Sequence, residues 1–419
     1  MTQRSARETA LAALRLWRKG KGFADSIISR LLAKADLTRA DRGFALELFY
    51  GVLRNLTLLD FWIGRLRVSR IESDVRDAAR LGLYQLLLLE IPAHAAVHES
   101  VAIAPNQHRS IINAILRSAT RRRSELLGAA NAQPLFVRTS HPEFLVDRWQ
   151  QHFGAGQAEQ LCKWNNRPAP IYGRINGLRI DPETFLQQYP DSRRIPGNPN
   201  FVEFSAVPTA ALDCGDCNIQ DPSTAMACQL LDPKPGEKIL DACAAPGGKA
   251  TYLAELMENR GTIVACDRDG ERLQVLQSNI SRLGSTIVQT VQHDWSRNDL
   301  PKGILSVAPF DRVLLDAPCT NTGVMRRRID VRWRLQPEDF DKMPNEQLMI
   351  MRAVFRVLRP GGILVYSTCS IEPEENQDVV RRLEAELSAL KLETKRDSLP
   401  FRDGFDGAFA AKLSSAGPF

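Results

Sequence analysis

Residues 237–270 read EKILDACAAPGGKATYLAELMENRGTIVACDRDG. Two strand-like runs, EKILDACAA and GTIVACDRD, enclose an amphipathic helical stretch, ATYLAELMEN, and a turn of small residues leads from the first strand into the helix. The alternation continues downstream. STIVQTVQHD (285–294), FDRVLLDAP (310–318) and GGILVYSTCS (361–370) read as strands, and ERLQVLQSNISRL (271–283) and NEQLMIMRAVFRVL (345–358) as helices. AFAAKLSS (408–415) can supply a late strand. Strands and helices in this order predict an α/β, Rossmann-like doubly wound parallel sheet. Ligands of such sheets bind at the carboxyl ends of the strands, near the topological switch point.

Upstream the texture differs. In ALELFYGVLRNLTLLDFW (45–62) apolar residues recur at 45, 48, 49, 52, 56 and 59, a helical stripe. VRDAARLGLYQLLLLE (75–90) and SIINAILRSATRRR (110–123) repeat it, with Pro92, Pro105 and Asn106 at connections. Between them and the sheet, PIYGRINGL (170–178) and NFVEFSAV (200–207) look like strands in a stretch rich in proline and glycine. The 419 residues therefore divide into an all-helical domain (1–130), a small α/β module (131–220) and the sheet domain (221–419).

Composition sets bounds. With 44% hydrophobic and 25% charged residues the chain is globular rather than disordered. A net charge of +6 permits a polyanionic partner without requiring one. MTQRSARETALAAL has no export-signal core, and the apolar run 81–91 is too short to span a bilayer. A cytoplasmic protein with reduced cysteines and no membrane contact is expected. Cys214 and Cys217 form a CxxC with no second pair and no nearby histidine, so two free thiols are expected there rather than a metal.

The turn after the first strand distinguishes three nucleotide-binding readings. A P-loop needs Ser or Thr after its lysine, but Ala250 follows Lys249. A dinucleotide fingerprint needs G-x-G-x-x-G, where this chain has C-A-A-P-G-G. A methyltransferase loop needs only a glycine-containing turn and an acidic residue ending the second strand, and Asp267 meets that need. Asp294 and Asp316 close the next two strands. Each aspartate alone reads as a helix cap or solvated turn; acidic residues at three successive strand ends point to cofactor binding.

Two thiols fall at the same edge: Cys319 after Asp316 in DAPC, and Cys369 in STCS. A lone free cysteine is ordinarily a small buried hydrophobe. Two at neighbouring ligand-facing strand ends, one beside a carboxylate, suit methylation of carbon-5 of cytosine. A thiolate adding at carbon-6 makes carbon-5 nucleophilic, and a carboxyl near ring nitrogen-3 stabilises the charge that develops there. The base must leave its stack to be reached, which favours looped RNA. The residues alone leave open which thiol attacks.

LDACAAPGGK, DAPC and YSTCS together resemble the RNA 5-methylcytosine methyltransferases of the bacterial Fmu/Sun type, the ribosomal RNA small-subunit methyltransferase B group. ADRGFALELFYGVLRN and ARLGLYQLLLLEIPAHAAVHE look like that group's N-terminal domain, which is similar to the antitermination factor NusB, and YGRIN and QDPS like its middle module. The resemblance implies Cys369 as nucleophile, Cys319 as the group assisting proton removal and product release, and Asp316 contacting the cytosine. It implies that Cys243, Ala244, Ala245, Pro246, Gly247, Gly248 and Lys249, with Asp267, Asp294 and Asp316, surround S-adenosylmethionine. It implies a monomer acting on 16S ribosomal RNA. The chain departs from the family at Thr320-Asn321, where Ser-Gly is usual, and at Arg328-Ile329, where His-Pro is usual.

Arg121–Arg123 and Arg326–Arg328 are candidate phosphate contacts, against the plainer reading of a solvated charged surface. A non-enzymatic RNA-binding protein on a degenerate catalytic fold is the rival from another class; the intact cysteines, aspartates and loop speak against it. An amino-group methyltransferase would prefer Asn/Asp-Pro-Pro-aromatic where DAPC stands.

Overall fold

A computed structural model describes residues 4–297 and 299–416. The chain forms two compact units, one of residues up to Arg167 together with Met325–Arg334, the other of Pro168–Val324 and Leu335 onward.

The first unit is helical. Its core gathers Leu48, Phe49, Val52, Trp62, Ile112 and Leu116, all within two per cent of full burial. The stripe at 45–62 is not one helix. It breaks at Asn55 into Arg39–Arg54 and Leu56–Leu66, and Asn55 Nδ2 donates to Gly51 O at 2.9 Å in the manner of a cap. Gly51 admits the Tyr84 ring against the helix backbone; a Cβ there would sit 2.0 Å from a ring carbon. Pro92 and Pro105 immediately precede the helices Ala93–Ala102 and Asn106–Arg121, as their fixed φ and missing N–H favour.

Met325–Arg334 is threaded into this unit. Ile329 joins the helical core. Asp330 accepts from Ala24 N at 2.9 Å, capping a helix whose own preceding residue, Phe23, offers no side-chain cap. Trp333 Nε1 donates to Leu53 O at 2.9 Å. Arg332 is fully buried and donates to Ser140 O, Asn165 O and Asn166 Oδ1 at 2.7–3.2 Å. Arg326, expected at a phosphate, is instead buried over the Trp164 ring, 4.2 Å from its centroid, with Nε donating to Arg167 O. Arg328 is exposed.

The second unit holds two sheets. A four-stranded antiparallel sheet takes the order β2-β3-β1-β4, from β1 (Ile171–Ile175), β2 (Ser192–Ile195), β3 (Asn198–Phe204) and β4 (Cys217–Ile219). The larger sheet uses β5 (Lys238–Asp241), β6 (Thr262–Asp267), β7 (Val288–Gln292), β8 (Phe310–Asp316), β9 (Leu358–Thr368), β10 (Leu390–Ser398) and β11 (Ala408–Ser415). Its order is β10-β11-β9-β8-β5-β6-β7; β5 to β9 run parallel, and β11 and β10 close one side antiparallel. The strand order reverses at β5, flanked by β6 and β8. This is the Rossmann-like sheet expected from the sequence. Its two faces are both buried: Leu240, Val264, Val313 and Tyr366 enter one core, and Ile239, Ile263, Leu314 and Val365 the other. β10 is the strand of this sheet that the sequence reading lacked, as it lacked β2 and β4 of the small one. It lies at the edge, and only its ends, Leu390 and Ser398, are buried, so LKLETKRDS carries no apolar alternation.

The YGRIN and QDPS residues lock the small sheet to the large one. Arg174, fully buried, donates to Gln220 Oε1 at 2.8 Å and Thr251 Oγ1 at 3.2 Å, and pairs with Glu255. Asn176 Nδ2 donates to Gly215 O and Leu283 O at 2.8 and 2.9 Å. Thr251 and Glu255 lie on the helix that follows the β5 turn, so the small sheet buttresses that helix.

Candidate active site at the carboxyl ends of the strands

The turn leaving β5 carries Asp241 to Gly247 into the helix Gly248–Leu256. Ala244 N donates to Cys266 O at 2.7 Å, Gly247 N to Ala244 O at 2.8 Å, and the Ala245–Pro246 bond is cis. From outside, Asn279 Nδ2 donates to Pro246 O at 2.9 Å and Arg272 to Ala245 O. Gly247 has φ +107°, and a Cβ there would stand 2.4 Å from Leu276 Cδ1. Only glycine accepts that conformation and that neighbour together. Cys243 lies on the turn half-buried, and burial pushes its thiol well above the usual range.

Asp267 ends β6 and turns towards this loop. Oδ2 accepts from Ala245 N at 3.2 Å and Oδ1 from Asp269 N at 3.0 Å, and Arg272 Nη1 lies 3.5 Å away. Each oxygen keeps acceptor capacity for a further donor. Asp294, two residues beyond β7, bonds in its own turn: Oδ1 accepts from Ser296 N at 3.0 Å, which holds its carboxyl below the ordinary aspartate range.

Asp316 ends β8 opposite Ser367 of β9 in parallel register. Its Oδ1 accepts from Ser367 Oγ at 2.9 Å and its Oδ2 from Lys249 Nζ at 2.6 Å. Burial would lower the Lys249 pKa, but the pairing with Asp316 outweighs it and the ammonium is held above the usual lysine range. Asp241, at the end of β5, is fully buried, and among the described residues its carboxylate meets only the Cys243 N–H, outside good hydrogen-bond geometry. Burial, then the charge of Asp316, pushes its carboxyl up to about 8, with Lys249 opposing.

The two thiols meet. Cys319 Sγ and Cys369 Sγ lie 3.3 Å apart, and Cys369 Sγ donates to Asn321 Oδ1 at 3.1 Å. The hydrogen bond with Cys369, and then burial, push Cys319 well above the usual thiol range. The loops carrying them are joined by one buried carboxylate. Glu375 accepts from Thr320 N at 2.9 Å, from Ser370 Oγ at 2.7 Å, from Gln347 Nε2 at 3.0 Å and from the Thr320 hydroxyl. Burial raises the Glu375 pKa against the pull of these donors.

The structure thus gathers Cys319 with Cys369, Asp316 with Lys249, and Asp267 with Ala245, whereas the bonds of Asp294 stay local. Sequence reasoning did not single out Asp241, Ser367 or Glu375, and it named Asn321 only as part of a departure from the family. Ser367 was readable once β8 and β9 were taken as parallel neighbours, because it then faces Asp316. Glu375 had no such signal, since IEPEEN offers three glutamates without a period. Of the other expected features, Cys214 is exposed and Cys217 buried, its thiol pushed up to about 12 by burial.

Three family models match along the chain: the NusB family over residues 4–121, a ferredoxin-like domain of RsmF/B-like methyltransferases over 141–192, and 16S rRNA methyltransferase RsmB/F over 228–414. The crystal structure of PH0851 superposes with a TM-score of 0.78 at 25% identity, covering 97% of this chain and 98% of that one. A methyltransferase homolog protein from Pyrococcus horikoshii gives 0.58 at 30% identity, over 67% and 97%. Among curated relatives, the probable ribosomal RNA small subunit methyltransferase B of Bacillus subtilis is 31% identical over 100% of both chains. The ribosomal RNA small subunit methyltransferase B of Serratia proteamaculans is 36% identical over 92% of this chain and 94% of its own. With identity sustained end to end, and the cysteine-bearing sheet domain inside the matched region, the chain belongs to the ribosomal RNA small subunit methyltransferase B family.

Proposed function

We propose that this protein methylates carbon-5 of a cytosine in 16S ribosomal RNA, with S-adenosylmethionine as donor and Cys369 as covalent nucleophile. The observation that carries the reading is the pair of thiols 3.3 Å apart at neighbouring strand ends, beside the Asp316–Lys249 pair.

The residues fit the cofactor. Gly247 brings the backbone close in a conformation that other residues rarely adopt, Asp267 keeps lone pairs for ribose hydroxyls, and the buried, under-satisfied Asp241 carboxyl keeps acceptor capacity towards the same turn. Cys243 to Lys249 with Asp267, Asp294 and Asp316 would hold it. When bound, it supplies an electrophilic methyl group on a sulfonium sulfur.

The chain's own residues supply the rest. The Cys369 thiolate adds to carbon-6 of the cytosine, and the ring's electron pair moves towards carbon-5 and nitrogen-3. Asp316 contacts the ring edge, and the Lys249 ammonium offsets the negative charge gathering near it. Once carbon-5 carries its methyl group, the carbon-5 proton leaves with the help of Cys319. The electron pair of that C–H bond re-forms the ring double bond and expels the Cys369 sulfur. The choice of Cys369 as the attacking thiol follows the family resemblance, and the 3.3 Å between the sulfurs brings Cys319 to the same ring.

Residues 1–130 and 131–220 would bind RNA and residues 221–419 perform the chemistry, in a monomer working in the cytoplasm. Among the described residues no helix is long and apolar enough to cross a membrane. The test is to map 5-methylcytosine in 16S RNA from cells with and without the gene. Loss of one modified cytosine, restored by the wild-type gene but not by Cys369→Ala, is expected. An unchanged map would overturn the reading.

A further inference from the structure

The helices Ala93–Ala102 and Asn106–Arg121 flank a groove of about 770 Å³ in the first unit. Its floor is apolar, with Val97 and Val101 partly buried against the helical core. Its rim is basic: Arg109, Arg117 and Arg121 come from one helix, and His94 and His98 from the other. All five are exposed, and among the described residues lining the groove none is Asp or Glu, although His98 meets the neighbouring Glu99 at 3.2 Å.

Spacing and bonding set these arginines apart from their neighbours. Positions 109, 117 and 121 follow a four-residue ladder along one helix, completed by Asn113. About 6 Å of rise separates Arg117 from Arg121. Arg109 donates to Ala102 O at 3.0 Å and Ala104 O at 3.1 Å, at the end of the facing helix, which fixes its guanidinium at the rim. Arg117 Nε donates to Asn113 Oδ1 at 3.0 Å, and among the described residues neither Arg117 nor Arg121 has a carboxylate partner. The next two arginines are spent differently: Arg122 pairs with Glu125 at 2.7 Å and Arg123 with Glu90 at 2.7 Å. Of the run Arg121–Arg123, only Arg121 presents an unneutralised charge.

We infer that this groove is an RNA-docking site, in which Arg117 and Arg121 contact successive phosphates and the Val97–Val101 floor receives a base or ribose face. The inference rests on the methylation reading for its ligand and adds a second place where the same RNA is held. A ladder of cations unopposed by acids suits a continuous polyanion, and an apolar floor between the rims suits an unpaired strand.

The test uses the full chain and a 16S RNA transcript, with Arg117→Ala/Arg121→Ala compared with Arg122→Ala/Arg123→Ala. Both pairs lie on the surface, and circular dichroism checks folding. Filter binding across a salt series should show the first pair weakened at least fivefold, with the slope of log affinity against log salt reduced by about 1.5, as two lost phosphate contacts require. Its KM for RNA should rise while kcat at saturating RNA and S-adenosylmethionine affinity stay unchanged. The second pair should bind like wild type. Wild-type affinity and slope in Arg117→Ala/Arg121→Ala would overturn the groove. A wild-type chain that binds the transcript but transfers no methyl group would defeat the methylation reading instead, and the variants' binding would still decide the groove.

Discussion

Asn321 Oδ1 accepts from Cys369 Sγ at 3.1 Å while its Nδ2 donates to Cys319 O at 2.6 Å, so one amide bridges both cysteine loops. The residue has φ +58°, the left-handed region where glycine is usual and asparagine is the best-tolerated substitute. The departure from Ser-Gly at Thr320-Asn321 thus preserves the backbone and adds a contact to a thiol. Asn321→Gly should stay within about fivefold of wild type in kcat/KM, the scale of one neutral hydrogen bond. Asn321→Asp sets a carboxylate against the Cys369 sulfur, disfavours the thiolate, and should move the rate–pH profile to higher pH. An unmoved profile in Asn321→Asp would show that this contact does not touch the attacking group.

The 3.3 Å between Cys319 and Cys369 allows their roles to be separated by a trapped intermediate. Cys369→Ala should form neither product nor adduct. Cys319→Ala should still attack and accept the methyl group, then stall with a carbon–sulfur bond that survives a denaturing gel. Each variant is incubated with 16S RNA and S-adenosylmethionine. A shifted band from Cys369→Ala alone would reverse the assignment.

Asp267 faces the cofactor turn with acceptor capacity to spare. Asp267→Ala should weaken S-adenosylmethionine binding by roughly 1.5–3 kcal/mol, the scale of a hydrogen bond to a charged group. Isothermal titration returning wild-type affinity would remove Asp267 from the site.

The sheet and the chemistry at its edge were legible because each depends on local pattern. Apolar runs of strand length alternated with helical stripes, and Asp267, Asp316, Cys319 and Cys369 all fell at run ends. What stayed hidden depends on long-range packing. β10 is an exposed edge strand without apolar alternation. Arg326 reads as surface charge, yet a tryptophan far back in sequence covers its guanidinium. Arg332, four residues beyond the run Arg326–Arg328, is fully buried, with three acceptors from residues 140–166 around its guanidinium. No spacing rule reveals such partners.

Glu375 shows the same limit and carries a further prediction. Its carboxylate takes donors from Thr320 beside Cys319 and from Ser370 beside Cys369, so it fixes the two loops relative to each other. Glu375→Ala leaves those buried donors unmatched and should cost about 2–3 kcal/mol of stability, with kcat falling more than RNA affinity. Glu375→Gln keeps the shape and one acceptor oxygen, and should recover part of both losses. Thermal unfolding of Glu375→Ala at the wild-type midpoint would rule out this role.

Asp241 makes the pH dependence of the cofactor-free protein a test of its burial. Its folded carboxyl is pushed up to about 8 by burial and by Asp316, whereas the unfolded chain restores the ordinary value of 3.8. Between those values the folded state holds a proton that the unfolded state has released, so stability falls as pH rises. The contribution is complete below the ordinary aspartate range and lost as pH passes through about 8. Asp241→Asn, neutral throughout, escapes that loss. Its stability advantage over wild type should be near zero below the ordinary aspartate range, grow by about 1.4 kcal/mol per pH unit between that range and about 8, and level off above it. Urea unfolding of both proteins at pH 5, 7 and 8.5 reads the difference directly. An advantage equal at all three would mean that Asp241 is ionised throughout, with the Cys243 N–H and its other neighbours satisfying the charge.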